Sequence, residues 1–543
     1  VVASKPEPLP ARPFTSNTLY ALLSAELAGS RGRLDVALAN YLQQAQQTGD
    51  PQVAERAYMI ARYMDADDAI LSASSLWAEA EPDNQDAQAA AILAQIDAGQ
   101  LLEALQRTRH SQTRNQGALL QSIAANAAKA TDTQRETLLT QYQTLLRQQP
   151  NNLPLIIGTG LLLQQQGDLD GALELARRAQ TLKPNNTHAL VLVSGLLHQQ
   201  GDNPAALKTV KEPLAQAPNN TRLRLQYARL LTFEHLEQAQ EQFEHLVEAS
   251  PGDPELLMAL ALVAEERHDT DTAAASYRAL LDINQHTDAA HFYLGQLAEH
   301  QGDTEQAVKH YRQINSGEDF APATGRALAI YLQEGDRASA DNFYQQRRHQ
   351  LPAQGPRLAL IYSQTLINAG EDEQAAEVLH NALLDEPHHN NLLYARSMIY
   401  ERLGLIEQAV ADLQRILQYT PNNPAALNAL GYILADRTDR HAEAYQYIKR
   451  ALEQQPNDPA TIDSMGWVQY RLGNLEQAQQ YLSRAMQLYP DDEIAAHLGE
   501  VLWVSGQRKE ALNIWRSGLE IAPQSPYILR TLKQLNIDAD TPI

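Results

Sequence analysis

The sequence predicts an all-α solenoid of about fifteen stacked helical hairpins, and three periodic series predict it. Proline recurs at Pro150, Pro184, Pro218 and Pro251, then at Pro352, Pro387, Pro421, Pro456, Pro490 and Pro523, at intervals of 33 to 35 residues. The gap of 101 residues between Pro251 and Pro352 is three periods with two members lacking their proline. Glycine runs in phase at Gly167, Gly201, Gly302, Gly335, Gly370, Gly404, Gly473 and Gly506. Alanine stands five residues after each of these, at Ala172, Ala206, Ala307, Ala340, Ala375, Ala409, Ala478 and Ala511. Series locked to one period mark units that bury their apolar faces only by stacking on one another. No β-alternation of useful length interrupts them.

Each unit reads as two helices. In residues 287–318 the first helix carries Leu294, Gly295 and Ala298 on one face, Gly302-Asp303 breaks it, and a second carries Ala307, Tyr311 and Ile314. Small residues sit where helices approach closely and the large one fills the gap to the next unit. Between units, Pro421-Asn422-Asn423-Pro424 and Pro456-Asn457-Asp458-Pro459 supply a stop, an N-cap and a proline tolerated in the first turn.

In chain order, residues 1–16 are expected to form a stiff tether, with Pro6, Pro8, Pro10 and Pro13. Residues 17–150 keep the hairpin rhythm in four degenerate units, among them Gly32 to Ala37 with Tyr41, and Ala54 to Pro82. Residues 151–523 hold eleven regular units, and within 524–543 the stretch Pro526 to Leu535 is expected to form a capping helix. The opening residues lack the apolar centre of a signal peptide, so a mature or trimmed form is expected.

Composition narrows the function. The 543 residues carry a net charge of −23, the opposite of what phosphate binding needs, so nucleic acid is not an expected partner. The absence of cysteine removes disulfides, cysteine-bound zinc, iron–sulfur clusters and thiol nucleophiles together. No apolar run approaches the roughly 20 residues that cross a bilayer.

No catalytic, cofactor or metal site is expected. Gly-x-Ser-x-Gly, phosphate-cradling loops and His-Glu-x-x-His are missing. His388-His389 stands beside a repeat proline, where a solvated turn is the expected reading over a metal site. Gly158-Thr159-Gly160 has no preceding strand and falls on the first helix of a unit. Glu265-Glu266 and Asp491-Asp492 fall on surface or cap positions rather than in a catalytic dyad.

The spacing resembles the tetratricopeptide repeat, over residues 151–523 with its full signature. That resemblance implies a concave groove lined by first helices, with positions 2, 5, 9, 12 and 13 of each unit facing it. In the last units these are Tyr394, Met398, Glu401 and Arg402, then Asn428 and Tyr432, then Asp463, Trp467, Tyr470 and Arg471, and Trp503. Five aromatics with arginines suit a protein-binding surface, although such rings also pack between repeats. The carboxylate clamp known in the family is not expected, because Arg224 is followed by Ala228 rather than the clamp asparagine. A second candidate surface is the first helix, where Leu19, Leu22, Leu23 and Leu27 recur at helical spacing beside Tyr20. It could dock into a partner or fold back as a cap.

A narrower resemblance rests on Ala429 to Asp436, Asp463 to Val468 and Gly499 to Trp503. These segments look like the C-terminal half of proteobacterial outer-membrane lipoproteins built of such repeats. The whole chain is similar to the lipoprotein binding partners of the carboxyl-terminal processing protease, the LbcA type. The resemblance implies a non-enzymatic adaptor on the periplasmic face of the outer membrane, anchored by an acylated cysteine upstream of Val1. Its partners would be that serine protease, expected at the N-terminal helix, and peptidoglycan cross-link endopeptidases as substrates, expected in the C-terminal groove. The alternative is an envelope scaffold that organises cell-wall enzymes without promoting proteolysis.

Overall fold

The computed structural model describes residues 15–111, 113 and 115–537. Apart from Thr15 and Ser16, the expected tether lies outside them. All regular structure among the described residues is helical, in two compact units divided between Ser276 and Tyr277.

The first unit opens with α1 (Ser16–Ser30) and α2 (Leu34–Thr48), then α3 (Pro51–Tyr63) and α4 (Asp67–Ala80). Two more hairpins follow, α5 (Gln85–Asp97) with α6 (Leu101–His110) and α7 (Gln116–Asn126) with α8 (Asp132–Gln148). Regular hairpins begin at α9 (Leu153–Gln165) and α10 (Leu169–Leu182), continue through α11 (Thr187–Gln199) and α12 (Asn203–Gln216), and reach α13 (Thr221–Leu231) and α14 (Leu236–Ala249). Next come α15 (Pro254–Glu266) and α16 (Thr270–Asp282), within which the division falls.

The second unit holds α17 (Thr287–His300) with α18 (Thr304–Tyr311), α19 (Phe320–Gln333) with α20 (Arg337–Gln350), and α21 (Gly355–Asn368) with α22 (Asp372–Asp385). After them stand α23 (Asn390–Arg402) with α24 (Ile406–Tyr419) and α25 (Pro424–Arg437) with α26 (His441–Gln454). The last pairs are α27 (Pro459–Arg471) with α28 (Leu475–Leu488) and α29 (Asp492–Val504) with α30 (Arg508–Ile521), before the terminal α31 (Pro526–Gln534).

Each periodic residue has a mechanical role. The eight series glycines all have φ between 74° and 86°, the left-handed conformation that ends the first helix of a hairpin without a Cβ penalty. Asp65 and His268 take the same conformation where glycine is missing, at φ 52° and 60°. All eight series alanines are fully buried between helices. After the proline, Asn186, Asn423 and Asp458 accept backbone N–H groups of the following helix. Close helix contact shows at Gly295 and Gly499, where an added Cβ would stand 2.4 Å from Tyr311 Cε1 and 2.1 Å from Trp515 Nε1.

Two buried arginines depart from the repeat. α18 stops early, and Arg347 from α20 donates to the carbonyls of Arg312 and Ile314 and to Asn315 Oδ1, holding the chain that leaves it. Arg396 on α23 makes a two-pronged ion pair with Asp412 on α24, at 2.8 and 2.6 Å.

Candidate protein-binding surfaces

First helices supply the side chains of interest: they hold more of the buried groups than second helices do, nine residues in α27 against three in α28. The structure gathers Trp467, Tyr470 and Arg471 of α27 around a cavity of about 490 Å³, walled also by Asp436 and Arg437 of α25, His497 and Glu500 of α29, and Tyr527 and Arg530 of α31. Trp467 is only 5% exposed; its ring stacks on His497 at 4.1 Å, and its Nε1 donates to Asp436 Oδ1 at 3.2 Å. It therefore forms a fixed wall, held from both sides. The Tyr470 hydroxyl donates to Glu500 at 3.0 Å and the Tyr432 hydroxyl to Glu493 at 2.7 Å.

Burial and these carboxylates push both phenols well above their usual range. Glu493 and Glu500 are themselves raised, chiefly because burial disfavours the carboxylate. Burial alone would lower His497, but Asp463 at 3.0 Å outweighs it and holds the imidazolium.

The other expected groove residues do not share this cavity. Tyr394 and Met398 are half-buried on the core, Arg402 is exposed and paired with Asp372 at 3.0 Å, and Asn428 leaves its buried Oδ1 without a partner. Trp503 packs near Trp515 with the Arg508 guanidinium 4.9 Å over its ring. Gly158 and Gly160 are packing positions in α9, facing Tyr142 and Leu192. His389 caps α23 and His388 packs on Tyr419. Among the described residues no cluster of three His, Asp or Glu is placed to hold a metal.

Sequence reasoning missed a larger cavity of about 860 Å³ between α19 and α21. Gly325, Ala329, Leu332, Leu360 and Ile361 make an apolar floor, with the amides of Gln333, Gln364 and Asn368 at its edges. Most of these residues occupy the same groove register; small side chains simply do not stand out when aromatics are sought.

On α1, Thr18 and Ala25 face inward with Leu22 half-buried, while Leu19, Tyr20, Leu23 and Leu27 are 52%, 76%, 55% and 58% exposed. Counting back from the turn glycines Gly32 and Gly473, Tyr20, Leu23 and Leu27 correspond to Thr461, Ser464 and Val468, which are buried in α27. The α1 ridge thus presents the surface that an interior hairpin covers with its predecessor. Beside it, Met59 and Tyr63 of α3 are also exposed at the edge of a cavity of about 480 Å³ that includes Glu26, Tyr41 and Arg56.

The protein kinase G tetratricopeptide repeat matches residues 168–342, and other tetratricopeptide repeats match 363–424, 394–459 and 464–492. TPR repeat-containing protein PA4667 of Pseudomonas aeruginosa is 41% identical over 500 residues, which are 92% of this chain and 85% of that protein. Among solved structures, the Cut9–Hcn1 hetero-tetramer of the APC/C matches at 14% identity over 96% of each chain with a TM-score of 0.34. A tetratricopeptide repeat protein from Parabacteroides merdae matches at 15% identity over 46% of this chain and 98% of its own, with a TM-score of 0.35. The extent and identity of the Pseudomonas match decide the assignment: the chain belongs to the tetratricopeptide-repeat protein family of PA4667.

Proposed function

We propose that this repeat scaffold is a non-enzymatic adaptor that holds a periplasmic carboxyl-terminal processing serine protease and presents peptidoglycan hydrolases to it. That the fold binds protein partners follows from its family. The partner's identity draws support from the lipoprotein-like segments at Ala429 to Asp436, Asp463 to Val468 and Gly499 to Trp503. The observation that carries the reading is the α1 ridge: Tyr20, Leu23 and Leu27 expose apolar area at positions whose counterparts in α27 are buried, with Leu19 exposed beside them. Covering such a ridge stabilises a complex by the hydrophobic effect. On this reading the protease docks on α1 and the substrate lies along first helices of the second unit. Joint tethering raises the effective concentration of substrate at the protease without any new catalytic group. The chain would work at the periplasmic face of the outer membrane, held by a lipid upstream of Val1. No helix among the described residues is long and apolar enough to cross a membrane.

The test is cleavage of a cell-wall endopeptidase by the protease with and without this protein. Accelerated cleavage is expected, lost when Leu23→Glu and Leu27→Glu remove protease binding in a pull-down. Unchanged cleavage sinks the adaptor reading, and hydrolases captured without cleavage would favour an envelope assembly scaffold. Protease capture that survives both substitutions moves the docking site away from α1.

A further inference from the structure

Charges around the α27–α31 cavity are unevenly satisfied. Arg437 is held by Glu401 and Asp436, and His497 by Asp463. Arg471 donates to the backbone carbonyl of Asp436 at 3.4 Å with the Glu500 carboxylate near enough to feel its charge, and Arg530 is exposed on α31; among the described residues neither makes a direct ion pair. Two guanidiniums therefore face a polar cavity in a chain whose net charge is −23. Glu500, fixed on the wall by Tyr470, opposes a second negative charge. The lining thus suits a monoanion better than a phosphate dianion. A carboxylate also matches the fork of a guanidinium. Next to the arginines, Trp467, Tyr470 and Tyr527 make an aromatic wall, and Gln534 adds an amide.

We propose that Arg471 and Arg530 receive the free C-terminal carboxylate of an extended client polypeptide, whose last apolar side chain lies against Trp467, Tyr470 and Tyr527. The site reads a chain end rather than an internal sequence, and so selects clients by the position of their terminus. It differs in place and residues from the Lys-Asn-Arg arrangement excluded above at Arg224 and Ala228. The proposal deepens the adaptor reading and rests on it only for the identity of the client.

Calorimetric titration of the full chain with N-acetyl-Ala-Ala-Phe and N-acetyl-Ala-Ala-Leu, each as free acid and as C-terminal amide, tests it. Free acids are expected to bind at least about tenfold more tightly than amides, the scale of one charged hydrogen bond. Arg530→Gln, on the surface of α31, and Arg471→Gln are each expected to remove that preference while the helical circular dichroism is unchanged. Equal affinity for acid and amide, or no binding at millimolar peptide, overturns the proposal. Inorganic phosphate binding more tightly than either acid overturns it in favour of a free-anion site. A protein that stimulates the protease but ignores the peptides loses this proposal and keeps the adaptor; one that binds the acids without stimulating cleavage does the reverse.

Discussion

Asp412→Ala isolates the cost of an unpaired charge inside the repeat core. Arg396 and Asp412 are 8% and 5% exposed, and their two hydrogen bonds close the gap between α23 and α24. Without the carboxylate, the guanidinium keeps only His380 Nδ1 at 3.1 Å and the Tyr400 ring at 5.4 Å. Removing one partner of a buried pair costs about 3–5 kcal/mol, whereas replacing both by apolar residues of similar volume is near neutral. The expected order is therefore Asp412→Ala far below wild type, with Arg396→Met/Asp412→Leu close to it. Repeat arrays open in parts, so a single global midpoint does not measure this cleanly. Hydrogen exchange resolved to α23 and α24 does: a loss of that size accelerates exchange there by roughly two to nearly four orders of magnitude where local opening dominates. A single variant within about 1 kcal/mol of wild type, or a double variant no better than the single, would refute the reasoning.

Further outcomes follow from other contacts. Gly499→Ala puts a methyl into the fully buried Trp515 ring and is expected to destabilise by about 1–3 kcal/mol, seen as a lower thermal midpoint with shifted tryptophan emission. His268→Gly relieves a side chain held at φ 60° and is expected to stabilise by about 0.5–1 kcal/mol, read as a higher urea midpoint. His497, Glu493 and Glu500 all bind protons more tightly folded than unfolded, so their contribution is full at low pH and declines as pH rises. The carboxylate part is lost upward from the ordinary glutamate value of 4.5, and the imidazole part upward from 6.5. His497→Gln is expected to flatten the upper part of a stability-versus-pH curve for α27 and α29.

The hairpins were legible because backbone handedness and close approach leave few residue choices. Gly302 must turn left-handed and Ala307 must let two helices touch, so both positions carry their geometry in their identity. The turns at Asp65 and His268 were hidden because other residues tolerate that conformation at a modest cost. The cavity was legible only in part. Repeat register places Trp467 toward the groove, but its depth depends on His497, which is thirty residues further along and belongs to the next hairpin. Tyr432 with Glu493 spans 61 positions and Asp463 with His497 spans 34. Such pairs become neighbours only once the hairpins have stacked, and composition gives no sign of which acid meets which ring. The floor at Gly325 and Ala329 was invisible for the opposite reason: its function lies in the side chains it lacks.

The α1 ridge also has a thermodynamic meaning. A stacked array gains stability from each neighbour, and the described residues give the α1–α2 hairpin such a neighbour only at α3 and α4. That hairpin should open at a lower free energy than the interior ones. Any ligand that binds its closed form alone raises the opening energy through mass action. Occupancy would then be written into slower amide exchange throughout α1 and α2, including at the buried Leu38 and Ala45, which lie outside both the exposed ridge and the cavity beside it.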